Sequence, residues 1–165
     1  ARQKIGGTHL SDYVLKQLPA VEPERYEART PWDPGRSLFE WVSDRVLELT
    51  FTGSNLAAFA GALGWDGPAF QWDEDRRELL LTELDAAFFH LYSLNREDTD
   101  YVMDTFPIVR KNDEKFHGEY RTKRVILEIY DEMAEATRTG KPYQTRLDPP
   151  PADPRVAHPD TRASR

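Results

Sequence analysis

The sequence contains no cysteine, so neither a disulfide nor a thiolate metal site can form, a state compatible with a reducing cytoplasm. It has no apolar run approaching a membrane span and no stretch that reads as a signal peptide, so a membrane partner is not expected. Positive charge is in the minority. The formal net charge is −7, which argues against a protein that coats nucleic acid with its whole surface. A local basic surface stays open, because salt limits the reach of distant charges to about 8 Å at physiological ionic strength. Catalytic patterns are missing as well. No glycine-rich strand-to-helix loop is present. No Glu-x-Lys occurs, the spacing that sets a lysine beside carboxylates holding Mg2+. The histidines at 9, 90, 117 and 158 lack metal-ligand spacing, and no nucleophile elbow is visible. The sequence thus offers no catalytic and no metal-ligating residues of its own.

What is present fits one domain with a real core, and it is organised around Tyr101 to Met133. The apolar ends of this stretch bracket a basic middle: Arg110, Lys111, Lys115, Arg121, Lys123 and Arg124 fall close together in an acidic chain. Pro107 keeps the preceding helical pattern from running on, because its ring clashes with the previous turn and it has no N–H. Gly118 allows a turn. Val125, Ile126, Ile129, Tyr130 and Met133 then return at helical spacing. The expected unit is helix, basic connection, helix. Cations on a connection between core-anchored helices suit a phosphate-facing surface. Against this, charge runs between helices are usually solvated faces, and Asp113, Glu114 and Glu119 offset half of the positive charge.

Along the rest of the chain, Gly6-Gly7 before Thr8 reads as a turn, since paired glycines let a backbone adopt positive φ or approach another surface closely. Tyr13 to Leu18 is compatible with a short edge strand ended by Pro19. Residues 22–35 read as a linker. Asp33-Pro34 is a good helix start, and Leu38, Val42, Val46 and Leu49 form one stripe with Trp41 beside it. A second short helix carries Leu56, Phe59, Ala60 and Leu63 and ends at Gly64. The loop from Trp65 to Trp72 packs its aromatics on the core or offers them to flipped bases. After the acidic start Asp73-Glu74-Asp75, a central helix places Leu80, Leu84, Ala87, Phe88 and Leu91 on one face, widened by Leu79, Leu81, Phe89 and Tyr92. His90 reads as a core or boundary histidine and His117 as a turn residue. Asn95, with Asp98 three residues on, caps a short helix through Thr105. The last helix runs to about Thr139, with Gly140 at its end. Prolines recur from Pro142 onward with almost nothing to bury, so 141–165 is expected to be disordered or extended.

The run DTFPIVRKNDEKFHGEYRTKRVILEIYDEM resembles the C-terminal end of bacterial N6-adenine DNA methyltransferases of type II restriction–modification and related phage-defence systems. ARQKIGGTHLSDYVLKQLPAV resembles a segment of the target-recognition region of the same enzymes, and the stretch from Trp41 to Leu94 resembles what lies between. The resemblance covers roughly residues 1 to 136, in the family's order. It implies S-adenosylmethionine as the cofactor of the parent enzyme, bound upstream of this chain, with none held here. Mg2+ is implied only where a nuclease is attached. Such an enzyme also needs an Asn/Asp-Pro-Pro-aromatic motif to hold the flipped adenine. Asp148-Pro149-Pro150-Pro151 lacks the aromatic, so the family's catalytic residues have no positions here. The opening residues read as domain interior, and the chain is expected to be part of a longer cytoplasmic protein.

The expected architecture is a mainly α-helical module of about five helices: an extended end of the recognition region over 1–21, a linker over 22–35, a helical domain over 36–140 and a tail over 141–165. Its expected role is to complete the target-recognition region and hold double-stranded DNA beside the upstream methyltransferase domain. Lys4, Gly6, Gly7, Thr8, Arg110, Lys111, Lys115, Arg121, Lys123 and Arg124 are the candidate contacts, most of them to phosphate. Tyr120 packs instead against the last helix. The alternative is a helical protein-interaction module that docks the catalytic domain or a defence-complex partner without touching DNA. A continuous basic face favours the first and a large exposed apolar patch the second.

Overall fold

The computed structural model describes residues 20–159. Lys4, Gly6, Gly7 and Thr8, and the extended segment expected around them, lie outside the described residues. The module is mainly helical, as expected, with a two-stranded sheet. Among the described residues there are seven α-helices. No described helix is long and apolar enough to cross a membrane.

The expected linker over 22–35 is folded. Helix α1 (Pro23–Glu27) starts on a proline, and an antiparallel pair, β1 (Arg29–Thr30) and β2 (Asp33–Ser37), follows it. The turn between the strands carries Trp32, only 1 % exposed, into the main core. Tyr26 and Trp32, six residues apart among polar neighbours, give no period to read, which is why the stretch passes for a linker. Asp33-Pro34 does not start a helix but lies in β2. Helix α2 (Leu38–Thr50) begins four residues later at a capping box. The Ser37 hydroxyl accepts from the Glu40 N–H while the Glu40 carboxylate accepts from the Ser37 N–H, satisfying two otherwise orphaned donors.

Helix α3 (Ala57–Ala62) is followed by Gly64 at φ +82°, a left-handed conformation that glycine adopts without steric cost. Asp73 caps α4 (Glu74–Leu91) by accepting from the Arg76 N–H. Leu80, Leu84, Ala86 and Ala87 of α4 are buried, whereas Leu81 and Tyr92, expected to widen the buried face, are exposed. Asn95 caps α5 (Arg96–Asp104) through the Asp98 N–H at 2.9 Å, the predicted cap.

The basic connection is itself a helix, α6 (Pro107–His117). Pro107 breaks the α5 pattern as expected, but its missing N–H then falls at the first helical position, where no intrahelical partner is needed, so it also starts the next helix. Gly118, at φ +75°, ends α6. The last helix, α7 (Arg121–Thr139), closes at Gly140, and Val125, Ile126, Ile129, Tyr130 and Met133 are all buried, as their spacing predicts.

Helices α4 and α7 form the centre, with α2 packed on α4 and with α5 and α6 packed on α7. A smaller core joins Leu47, Phe51, Ala60, Phe70 and Ala157. Its last member corrects the expectation that the tail, read as disordered or extended, has almost nothing to bury. Residues 141–159 run mostly as extended and turn backbone over the helices, with Tyr143, Leu147 and Ala157 buried. The Tyr143 N–H donates to the Trp32 carbonyl at 2.8 Å, and the His158 N–H to the Ala69 carbonyl at 2.8 Å.

Candidate interaction surface on the basic segment

Four of the six cations between 110 and 124 hold carboxylates. Arg121 donates to both oxygens of Glu78 on α4, at 2.5 and 2.6 Å. Lys123 lies 3.1 Å from Asp100 and 2.9 Å from Asp104, both on α5. Arg124 forks onto Glu119 and reaches Glu128 at 2.7 Å. Arg110 pairs with Glu114 at 3.0 Å and lies 3.7 Å from Asp104. Burial by itself would lower the Lys123 pKa, but hydrogen bonds to Asp104 and Asp100 more than reverse this and raise it. Arg124 is raised by its bonds to Glu119 and Glu128. Pairs of this kind on a wet surface stabilise little, because water and salt screen them. Together they nevertheless leave little net positive field on this part of the molecule, because each cation faces an anion at contact distance.

Lys111 and Lys115 differ. Both are exposed on α6, and neither has a carboxylate partner among the described residues; the Lys115 ammonium lies 5.2 Å from the Phe116 ring. Large apolar side chains share their helix. Ile108 and Phe116 are 72 % and 73 % exposed, Tyr101 on α5 is 72 % exposed, and Phe106 and Val109 also face solvent. With 3.6 residues per turn, Ile108, Asn112 and Phe116 fall along one face, with Lys111 and Lys115 beside it. No residue of α6 is buried. The helix is fixed at its edge: Asp113 accepts from the Thr122 N–H at 2.6 Å, which caps the start of α7 with a side chain of α6. Tyr120 is partly buried against the main core, and its hydroxyl donates to the carbonyl of Met103 on α5 at 2.9 Å.

The loop aromatics expected either to pack or to stack on bases divide. Trp65 packs on the buried Phe70, with ring centroids 4.6 Å apart. Trp72 is exposed, and the Arg77 guanidinium lies 3.7 Å from its ring centroid. His90 is a boundary histidine, stacked on Tyr130 at 3.9 Å with Nε2 2.9 Å from the Tyr130 carbonyl; desolvation lowers its pKa.

Sequence reasoning missed two buried carboxylates. Glu83 on α4 accepts from Arg45 Nε at 2.8 Å, from the Tyr143 hydroxyl at 2.9 Å and from the Thr145 hydroxyl at 2.6 Å. The Arg45 guanidinium also lies 3.3 Å from the centroid of the Trp41 ring. Burial first, and the Glu83 carboxylate second, push the Tyr143 phenol above its ordinary range. Glu48 on α2 holds Arg76 and accepts from the Ala152 N–H at 2.9 Å. The available signal is a charge inside an apolar stripe, Glu83 between Leu80 and Leu84. These carboxylates lie in packed core with every oxygen engaged by the protein, an arrangement that fastens the tail to the helices. Comparison with protein-family models, curated proteins and solved structures finds no match to this chain.

Proposed function

We propose that this chain is a non-catalytic helical module from the C-terminal part of a site-specific DNA adenine-N6 methyltransferase of the restriction–modification or phage-defence kind, and that it works by docking. In this reading α6 lies against the upstream methyltransferase domain, and Lys111 and Lys115 sit at the edge of that junction. The parent enzyme rests on the sequence resemblance alone. The docking role rests on one observation: α6 buries nothing, yet Ile108 and Phe116 are each nearly three-quarters exposed along one face. Exposed apolar surface of this kind, rimmed by charge, is characteristic of protein contacts.

A second reading, the DNA clamp, is favoured by the ammoniums of Lys111 and Lys115, which have no carboxylate partner among the described residues. Under it these two lysines, with Lys4 to Thr8, carry the phosphate contacts, while Arg110, Arg121, Lys123 and Arg124 would have to give up their carboxylates first. Paired variants separate the readings. Ile108→Asp with Phe116→Asp is expected to weaken association with the upstream domain at least ten-fold by calorimetry. Lys111→Ala with Lys115→Ala is expected to leave that association within about two-fold. If the lysine pair instead lowers duplex affinity and reduces the slope of log K against log salt by about two, while the aspartate pair changes nothing, the clamp is right and docking is wrong.

A further inference from the structure

An apolar groove of about 450 Å³ opens between α1, α2 and α3, and no residue of the basic segment lines it. Val21, Tyr26, Phe39, Phe59 and Leu63 line it, and Ser43 is its polar residue. Phe39 is 51 % exposed and Phe59 37 %, so two large aromatic side chains in its wall lack a cover. We propose that the occupant is this chain's own segment Tyr13-Val14-Leu15-Lys16-Gln17-Leu18, which docks in the groove and fixes the N-terminal region to the helical module.

The chain's path carries the inference. Val21 is itself part of the groove wall. Leu18 is three residues upstream, so its Cα lies within about 11 Å of Val21 however the backbone runs, and Leu15 within about 22 Å. Four of the segment's six residues are apolar, matching the wall, and Lys16 is its single charge. Glu22 and Glu24 flank Pro23, another residue of the wall, and offer that charge a partner. Tethering at so short a range gives the segment an effective concentration that a separate molecule seldom matches. The inference is independent of the role given to α6, which is tested on other residues.

The absence of cysteine makes the test clean. Leu15→Cys with Ser43→Cys places one thiol in the segment and one in the groove, and Ser43→Cys is nearly isosteric, so the wall is preserved. Leu15→Cys with Asn112→Cys, on α6, is the control. Under mild oxidation of the full 165-residue chain, the first pair is expected to close an intramolecular disulfide at least ten times faster than the control. A disulfide-linked dimer from the first pair would overturn the proposal in favour of a second copy as occupant. Equal rates for both pairs, with circular dichroism unchanged, would overturn it in favour of an empty groove.

Discussion

Glu83 is the side chain on which the most of this molecule converges. Arg45 of α2 and Tyr143, Thr145 and the Arg146 N–H of the tail all donate to its carboxylate. Burying the Arg45–Glu83 pair carries a desolvation cost, and the pair does not by itself imply extra stability. Removing one member is another matter, because the other charge stays buried without compensation. Glu83→Gln is therefore expected to cost about 3–5 kcal/mol in urea unfolding. The amide keeps the volume but loses the charge facing Arg45, and its NH2 faces donors. Arg45→Met with Glu83→Leu removes both charges and is expected to recover most of the loss. A single Glu83→Gln variant within about 0.5 kcal/mol of the parent would show that the pair is not the junction described here.

Among the elements, α6 is tied to its neighbours by polar side chains, Arg110 to Asp104 of α5 and Asp113 to α7. An isolated helix of eleven residues is marginal in water, and α6 buries no side chain to compensate. Asp113 fastens it to the first turn of α7 through the Thr122 N–H. Asp113→Ala removes that cap and is expected to cost about 1 kcal/mol of global stability. Local protection should fall further than that: amide exchange across Lys111 to Phe116 should accelerate well beyond exchange in the centre of α7. Uniform acceleration across both helices would show instead that α6 and α7 open as one unit. How far the elements can be read from the chain follows from the same physics. The stripe Val125-Ile126-Ile129-Tyr130-Met133 repeats at helical spacing and is buried where that spacing puts it. Asn95 caps as its position suggests, and the acidic start Asp73-Glu74-Asp75 marks the N-terminus of α4. Helix α6 escapes such reading because Pro107 is both a stop and a start, and because a helix without a core face has no stripe tied to burial. The long-range ion pairs escape for a different reason: Arg121 meets Glu78 across 43 positions of sequence, and no local pattern announces it, whereas Arg110–Glu114 and Arg124–Glu128 stand four residues apart and can be read on a helix.

At the scale of the whole molecule, the proline-rich tail acts as a strap. It supplies donors to Glu83, the Ala152 N–H to Glu48 and, at Arg76, a carbonyl acceptor from Pro150. It also lays Tyr143 on the main core and Ala157 on the smaller one. Proline content signals the absence of regular structure, not of packing. The prolines restrict the unfolded chain and leave the intervening Tyr143 and Leu147 to be buried. Ending the chain after Gly140 would strip Tyr143 and Leu147 from the core, where losing a large side chain costs about 2–5 kcal/mol each. It would also leave Glu83 with only the Arg45 side chain as donor. The sum is comparable to the roughly 5–15 kcal/mol by which a domain of this kind is stable. The 1–140 chain is therefore expected to keep most of its helical far-ultraviolet signal, since the helices carry their own capping and local hydrogen bonds. It should lose the near-ultraviolet signal of the buried Trp32 and Trp41, and it should bind a hydrophobic dye, as loosely packed helical states do. A truncated chain with an unchanged near-ultraviolet spectrum and a midpoint within about 2 °C of the parent would mean that the helices close their core unaided and that the strap only covers it.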